Sequence, residues 1–300
     1  MKPLVSFPQC LDCIREMART ASEMAAGPDE ALVRDTRRRA REVLEKAHKL
    51  GLTSPEVANL VMREITRITG VKDPYAEFKK KEMAVARRVH EQAAQYESKD
   101  LDWLLSFAVL SNSLDSFKKP DEALSVVLEQ AQKAVSFYHD DSAIFKNALA
   151  QRPKLMLYLT DNAGEIYFDL PLYDYLRTRA QRLVLVVKGG PGLNDLTRHD
   201  LEMAGLSGRF DEVADTGTDG AGIDWQRVSA EFTGLLSQAD LVLAKGMANF
   251  ETMYGRELNP PVLFLFKLKC RPMREYLNGP PDSYCALWQE GTKGSASAEM

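Results

Sequence analysis

Long apolar runs, cysteine and histidine are all scarce in this chain of 300 residues. No apolar run approaches the roughly 20 residues that span a bilayer, so the sequence predicts no transmembrane helix. Four cysteines are too few for a disulfide scaffold in a chain of this size. The net charge of -4 gives no electrostatic reason to expect a nucleic-acid partner.

The start of the chain lacks the pattern of a secretory signal, and the end has the composition of a loose tail. The opening residues, MKPLVSFPQCLDC, have neither the long apolar core nor the small-residue cleavage site of a secretory signal. We therefore expect a cytoplasmic protein with no membrane partner. The final residues are small and polar, and a loose tail is predicted for 286–300. No heptad pattern predicts an oligomeric state, which stays open.

The hydrophobic pattern divides the chain into two parts. Residues 1–150 have the spacing of amphipathic helices, and we predict a helical N-terminal domain. From Lys154 onward, short apolar runs alternate with helical segments, which is typical of a parallel sheet covered on both faces. We therefore predict an α/β fold, in which 151–285 form a Rossmann-like three-layer α/β/α domain with a mostly parallel sheet. The predicted strands are 155–159, 183–187, 212–214, 241–244 and 262–266.

Four loops follow the first four of these strands, and each combines glycine with carboxylate, amide or lysine side chains. They cover residues 161–165, 188–195, 215–220 and 245–251. The right-handed crossover rule brings the carboxyl ends of parallel strands to one edge of the sheet, where open α/β sheets bind ligands. We therefore expect one site to draw on all four loops.

Oxygen donors dominate these loops, because neither histidine nor cysteine occurs in them. Carboxylate and amide oxygens suit a hard divalent cation. Asp161, Asn162 and Asp195 are the best candidate ligands. The donor set admits several metals, and we expect Mn²⁺, Mg²⁺, Co²⁺ or Ni²⁺ as the cofactor.

The same loops also have features of a phosphate site. Glycine-flanked loops that lead into helices bind phosphate through backbone N–H groups, and Gly189, Gly190 and Gly246 are the candidates. Lys245 would add a fixed positive charge, which stabilises developing negative charge where water is excluded. A divalent cation, a phosphate cradle and a lysine together indicate phosphoryl chemistry on a small phosphorylated molecule.

Each loop also has a purely structural interpretation. Asp161 with Asn162, and Asn194 with Asp195, could simply cap the helices that follow them. Gly189 with Gly190 could be only a tight turn. The α/β part has no G-x-G-x-x-G after its first strand, which disfavours a dinucleotide enzyme. The prediction of a site therefore depends on several loops sharing one edge.

Taken together, these motifs resemble the metal-dependent damage-control phosphatases, the ARMT-like family also called domain of unknown function eighty-nine, in its prokaryotic CxxC-bearing branch. The resemblance covers about residues 5 to 275. The residues that carry it are DNAGE at 161–165 with Phe168 and Asp169, KGGP at 188–191 with Asn194 and Asp195, Lys245 and Gly246 with Asn249 and Glu251, CLDC at 10–13, Asp73-Pro74-Tyr75 with Lys79, Asn112 with Asp115, and KLKC at 267–270.

The resemblance implies hydrolysis of phosphate monoesters, on sugar phosphates or damaged phospho-metabolites. It implies that Asp161, Asn162 and Asp195 bind the metal. It also implies that Glu165, Lys245 and Asn249 hold the substrate or its phosphate. Asp161, Glu165 and Lys245 are accordingly the predicted catalytic residues.

Asn112 and Asp115 are predicted to reach the substrate from the helical domain, and a helix C-cap role is the alternative. The family usually has glycine where this chain has Ser111.

The pair Cys10 and Cys13 is half of a thiol metal site or a redox pair, with Cys270 able to approach it if the termini meet. Plain structural cysteines are the alternative.

Two other functions fit the same loops. A Rossmann-like carboxyl methyltransferase would place a nucleoside in the glycine-rich loops and would need no metal. A non-catalytic module would bind a metal or a nucleotide without turnover. A phosphatase differs from both, because it releases phosphate only when a divalent cation is present.

Overall fold

The computed structural model describes residues 4–93, 98, 100–113, 129–130 and 134–292. Asp115, a predicted substrate residue, lies outside these residues. The described helices are α1 (Cys10–Ala26), α2 (Glu30–Ala47), α3 (Ser54–Thr69), α4 (Ala76–Ala93), α5 (Leu101–Leu110), α6 (Ser142–Ala150), α7 (Ile166–Leu176), α8 (Arg198–Met203), α9 (Ala230–Gln238), α10 (Met247–Met253) and α11 (Arg271–Leu277). The described strands are β1 (Phe137–Asp140), β2 (Met156–Leu159), β3 (Leu183–Val187), β4 (Val213–Asp215), β5 (Leu241–Lys245), β6 (Val262–Lys267) and β7 (Tyr284–Gln289).

One seven-stranded sheet has the order β1-β7-β6-β5-β2-β3-β4. The five strands β2 to β6 pair in parallel, whereas β7 runs antiparallel to β6, and β1 is parallel to β7. The prediction of an α/β fold with a mostly parallel sheet is confirmed. All five predicted strands occur, with bounds that differ by at most one residue.

Strand side chains alternate between two apolar clusters, one on each face of the sheet. Leu241 and Leu243 of β5 lie in the cluster covered by α4 to α8, while Val242 and Ala244 lie in the cluster covered by α9 to α11. This follows from the period of two along a strand. Because both faces are buried, the strands are apolar at almost every position.

The first three helices surround a separate apolar cluster. The capping box of Thr53 and Glu56 fixes the start of α3, and Gly70 ends that helix in the left-handed conformation. Asp29 caps α2 by accepting a hydrogen bond from the Leu32 N–H, 3.0 Å away. Within the described residues, no helix has both the length and the apolarity to cross a membrane.

Two strands were missed from sequence, and both correct the predicted boundaries. Strand β1 lies inside the segment 1–150 that was predicted to be a helical domain, and it joins the sheet through β7. Strand β7 extends to Gln289, so the loose tail predicted for 286–300 is wrong for residues 286–289. The cause is pairing: β7 exchanges backbone hydrogen bonds with β6 along its whole length. Residues 293–300 lie outside the described part.

Candidate metal and phosphate site

The chain reverses its direction across the sheet between β2 and β5. From β2 the chain proceeds outward to β3 and β4, and then returns to place β5 on the other side of β2. Such a switch point opens a crevice at the carboxyl ends of the strands, and ligands of open α/β sheets bind there. The loops after β2 and β5 therefore border the crevice.

The loop after β3 folds back onto the loop after β2. The Ala163 N–H donates to the Asn194 carbonyl at 2.8 Å, and the Leu196 N–H donates to the Asp161 carbonyl at 2.9 Å. Asn162 and Asp195 form an isolated antiparallel bridge between these hydrogen bonds. The structure thus brings together the three predicted metal ligands, although Asp161 and Asp195 are 34 positions apart (195 − 161) in the chain.

Asp161 lies against the backbone where β5 ends. Gly246 there has a φ of 81°, and a Cβ at this position would overlap the Asp161 carboxylate. A residue with a side chain would therefore be both strained and in collision. Glycine at position 246 leaves room for the Asp161 carboxylate. This explains the glycine after Lys245 without a role in phosphate binding.

The carboxylates of this site repel one another. Burial raises the pKa of Asp161 well above its usual range, and the carboxylates of Glu165 and Asp195 add to that shift. Burial also raises the pKa of Asp195 to about 6, because the opposing charge of Lys188 only partly compensates. Each of these buried carboxylates disfavours ionisation of the others. A bound cation would offset this repulsion.

The donor atoms fit a hard divalent cation. Asp195 Oδ2 is buried without a hydrogen-bond partner, and the Lys188 Nζ is 3.6 Å from it. Asn162 donates its Nδ2 to Glu165 Oε1 at 2.9 Å, which leaves its carbonyl oxygen as the ligating atom. In the described residues no three His, Cys, Asp or Glu side chains form a metal cluster by themselves, so the amide oxygen of Asn162 is needed as the third donor.

Lys245 and Glu165 are engaged with each other on the helical side of the crevice. The fully buried Lys245 Nζ lies 2.6 Å from Asp169 Oδ1 and 3.1 Å from Glu165 Oε2. Burial alone would lower the pKa of Lys245, but the two carboxylates outweigh it and raise that pKa. Burial would likewise raise the pKa of Glu165, but Lys245 and the other donors lower it. Both groups are therefore charged in the folded protein.

The end of α5 also contacts Glu165. Asn112 Nδ2 donates to Glu165 Oε1, and the Ser111 hydroxyl lies 2.9 Å from Oε2. Asn112 Oδ1 in turn accepts from the Lys267 N–H at 3.2 Å. Asn112 thus contacts the site through Glu165, and the Ser111 hydroxyl supplies one more donor to that carboxylate.

Asn249 is buried, and its amide bridges three segments. Its Nδ2 donates to the carbonyls of Thr160 and Lys245, at 3.0 Å and 2.8 Å. Its Oδ1 accepts from the Lys188 Nζ at 3.2 Å. Both polar atoms of the Asn249 amide therefore make hydrogen bonds within the protein. One of the partners is Lys188, the lysine that also pairs with Asp195.

The second predicted phosphate loop packs on the loop after β4. The Gly190 N–H donates to the Thr218 carbonyl at 3.1 Å. A Cβ on Gly189 would overlap the backbone of Gly217. In the structure these glycines allow two loops to approach closely, and the Gly190 N–H already has an acceptor.

Glu82 on α4 is a member of the site that the sequence reasoning missed. Its two carboxylate oxygens lie 3.4 Å from the Asn194 Nδ2, and its side chain fills the space that a Cβ on Gly164 would take. Burial, followed by the nearby Glu165 charge, raises the pKa of Glu82 to about 8. The signal in the sequence was weak, because a glutamate on an amphipathic helix is usually a solvated residue.

Lys269 was also missed as a site residue. It follows β6 and is exposed, yet its charge acts on Asp161, Glu165 and Glu82, whose pKa values it lowers. It is therefore a solvent-accessible cation at the carboxylate cluster. The alternation in Lys267-Leu268-Lys269, with Leu268 in the core, was the available signal.

The chain is similar to known proteins over most of its length. Residues 6–284 match the damage-control phosphatase ARMT1-like domain. The chain is 31% identical to a damage-control phosphatase from Pyrococcus horikoshii, over 91% of this chain and 94% of that protein. It is 28% identical to a damage-control phosphatase from Archaeoglobus fulgidus, over 89% and 93%. A crystal structure of a DUF89 family protein from Pyrococcus horikoshii superposes with a TM-score of 0.85 at 28% identity, covering 95% of this chain and 99% of the other.

Proposed function

Because the chain belongs to the damage-control phosphatase ARMT1-like family, we propose that it is a divalent-metal-dependent phosphatase of small phosphorylated metabolites. Sugar phosphates and damaged phospho-metabolites are the substrate classes. The observation that most supports the metal dependence is the buried Asp195 carboxylate, whose Oδ2 has no hydrogen-bond partner beside Asp161 and Asn162.

The proposal includes an organisation of the chain. The sheet, with α4 to α8 on one face and α9 to α11 on the other, forms a Rossmann-like three-layer unit, and α1 to α3 form the core of the N-terminal helical domain. The separate apolar cluster of α1 to α3 supports this division. Helix α4 connects the two parts, because its Glu82 contacts both loops that carry the metal ligands.

Asp161, Asn162 and Asp195 would hold one divalent cation, and Mn²⁺, Mg²⁺, Co²⁺ and Ni²⁺ all suit their oxygen atoms. Such an ion would supply positive charge to the phosphoryl oxygens. Glu165 acts as a positioning residue: it accepts the Asn162 Nδ2–H and so leaves the amide oxygen as the atom that would ligate the ion. Lys245 keeps Glu165 ionised, which preserves that orientation.

Lys269 is the residue that we propose to bind the substrate phosphate. It is exposed, and its charge lowers the pKa of the nearby Glu165. A lysine pairs with phosphate as a compact point charge. Lys245, by contrast, is buried against Asp169 and Glu165, and it contributes through them.

Phosphate release from a panel of phosphate monoesters tests this function. The protein is treated with a chelator and then supplied with Mn²⁺, Mg²⁺, Co²⁺ or Ni²⁺ in turn. We expect release to stop with the chelator and to return with at least one metal. Asp161→Asn and Asp195→Asn should stay inactive, while Asp215→Asn, which alters a partly exposed pair with Arg198, should remain active. Absence of phosphate release with all four metals would overturn the proposal.

A further inference from the structure

Three of the four cysteines lie where the start of α1 packs beside the loop between β6 and α11. Cys10 and Cys13 are in the first turn of α1, and Cys270 is the residue at which α11 is capped. The segment before α1 packs through Leu4 and Phe7 on the apolar cluster that Cys270 also contacts. All four cysteines are in the described part of the chain, and none forms a disulfide there.

The environments of these thiols differ. Cys13 is exposed, whereas Cys10 and Cys270 are half-buried. Burial raises the pKa of Cys270 to about 11, and the nearby Glu251, Cys10 and Cys13 add to this shift. Cys270 therefore stays protonated at neutral pH and is a poor nucleophile. Cys285 is buried in β7, where burial also raises its pKa to about 11.

The helix geometry places Cys10 and Cys13 on the same face, one turn apart. Residues three apart on a helix have Cβ atoms about 5–6 Å apart, and a disulfide needs about 3.5–4.5 Å. The first turn must therefore adjust for the bond to form. Gln9, which precedes it, makes no side-chain capping hydrogen bond. The first N–H groups of the turn donate to the preceding segment, from Cys10 to the Phe7 carbonyl at 2.9 Å and from Leu11 to the Pro8 carbonyl at 3.2 Å.

We propose that Cys10 and Cys13 are a reversible redox pair that a low-molecular-weight disulfide oxidises to an intrahelical disulfide. The Cys13 thiolate attacks one sulfur of the oxidant, forms a mixed disulfide and expels one thiolate. The Cys10 thiolate then attacks the Cys13 sulfur, closes the new S–S bond and expels the second thiolate. Two electrons pass to the oxidant, and its two sulfurs leave as thiols carrying the protons from Cys10 and Cys13.

Oxidation of Cys10 and Cys13 would also affect the crevice, through the loop that carries Lys269. Cys270 and the segment before α1 pack on the same apolar cluster, and Lys269, the neighbour of Cys270, acts on the carboxylates of the candidate site. A disulfide that changes the first turn of α1 changes the packing of the loop carrying Lys269. This consequence rests on the proposed function, whereas formation of the disulfide does not.

Thiol counting on the full chain tests the pair. The protein is equilibrated in glutathione buffers of increasing oxidised fraction, quenched with acid, denatured, alkylated and analysed by intact mass and peptide mapping. We expect the alkylatable thiols to fall from four to two. The lost pair should map to Cys10 and Cys13. Cys285→Ser should lose the same two thiols, Cys10 and Cys13. Cys13→Ser, an exposed substitution, should have the Tm of the native chain and keep all of its remaining thiols alkylatable.

Three results would overturn the proposal. One is that all four thiols stay alkylatable at every buffer ratio, and another is a disulfide that contains Cys270. The third is a stoichiometric metal in the purified protein that Cys13→Ser removes. Phosphate release is measured in parallel, and we expect it to differ between oxidised and reduced native protein but not for Cys13→Ser. Inactivity in both states would reject the proposed phosphatase while leaving the thiol result intact.

Discussion

Lys245 and Lys269 both act on Glu165, but from opposite environments. Lys245 is buried at the end of β5, and Lys269 is exposed beyond the end of β6. The glycine-containing loop after β5 predicts Lys245 as a fixed positive charge for the phosphate. In the structure Lys245 continues the face of Leu241 and Leu243, where its Nζ lies against Glu165 and Asp169.

We predict that Lys245→Met and Lys269→Met have different consequences. Lys245→Met should destabilise the protein by about 3 to 5 kcal/mol, because it leaves two buried carboxylates without their counter-charge. Lys269→Met should change stability by no more than about 0.5 kcal/mol. It should lower kcat/KM about tenfold or more by removing a charged hydrogen bond. Urea unfolding and steady-state kinetics measure the two effects.

Lys267→Met is the matched control for Lys269→Met. Lys267 is in the same segment, and its Nζ pairs with Asp282 at 3.0 Å. It should keep native kcat/KM. Equal losses of activity in the two variants would show that the segment, and not Lys269 itself, matters.

Gly246→Ala tests the close contact with Asp161. The substitution should cost about 1 to 3 kcal/mol through the positive φ. It should also abolish metal-dependent activity, because the new Cβ displaces a metal ligand. Gly255→Ala is the control, since Gly255 has a φ of 79° and no atom within 4 Å of its Cβ position. If Gly255→Ala impairs activity as much as Gly246→Ala, backbone strain alone explains the loss.

At the scale of elements, helix α10 connects the strands that border the crevice. Asn249 on this helix joins the end of β2, the end of β5 and the Lys188 side chain. The resemblance to the family implied that Asn249 holds substrate. In the structure, all hydrogen bonds of its amide are made within the protein. The sequence could not show this, because the acceptors are backbone carbonyls and the donor is a lysine distant along the chain.

Asn249→Ala should therefore destabilise the protein and weaken metal binding together. Each buried group that loses its partner costs about 1 to 3 kcal/mol. The release of Lys188 should also disturb Asp195. Asn59→Ala removes a comparable buried amide, which accepts from the Ala221 N–H at 2.9 Å and donates to the Ala221 carbonyl at 3.1 Å. This variant should destabilise the protein without weakening metal binding. Chemical denaturation and metal titration report the two quantities, and native metal affinity in Asn249→Ala would contradict this account.

The strands that the sequence predicts are more buried than β1, which it does not predict. The five strands from β2 to β6 are almost wholly buried apolar runs, so pattern alone identifies them. Strand β1, with the sequence FYHD, alternates between half-buried and exposed positions and follows a helical region. Strand β7 follows Pro280 and Pro281 and depends on its partner β6. Tertiary pairing, which no local pattern contains, decides both.

At the scale of the whole molecule, the topology brings the ligands together. The order of strands around β2 could not be read from the sequence, but the rule that parallel strands share an edge was enough to predict the meeting of Asp161 and Asp195. The contributions of Glu82 and Ser111 could not be predicted. They depend on how α4 and the end of α5 pack against the loop after β2.

Metal-induced stabilisation should increase with pH. Burial raises the pKa of Asp195 to about 6 and that of Asp161 further above its usual range, so the apo site holds protons that a cation must displace. Below pH 6 protons compete with the metal, and above it this competition fades as Asp195 ionises. The rise in Tm on adding Mn²⁺ should therefore be larger at pH 8 than at pH 5. An equal or smaller rise at pH 8 in scanning calorimetry would contradict this assignment.

Calorimetric titration of chelator-treated protein with Mn²⁺ at pH 8 measures how many ions bind per chain. We expect one ion for the native chain and for the Asp215→Asn control, and none for Asp161→Asn or for Asp195→Asn at the same concentrations. Retention of the full site by either of these two variants would show that Asp161 and Asp195 do not share one cation.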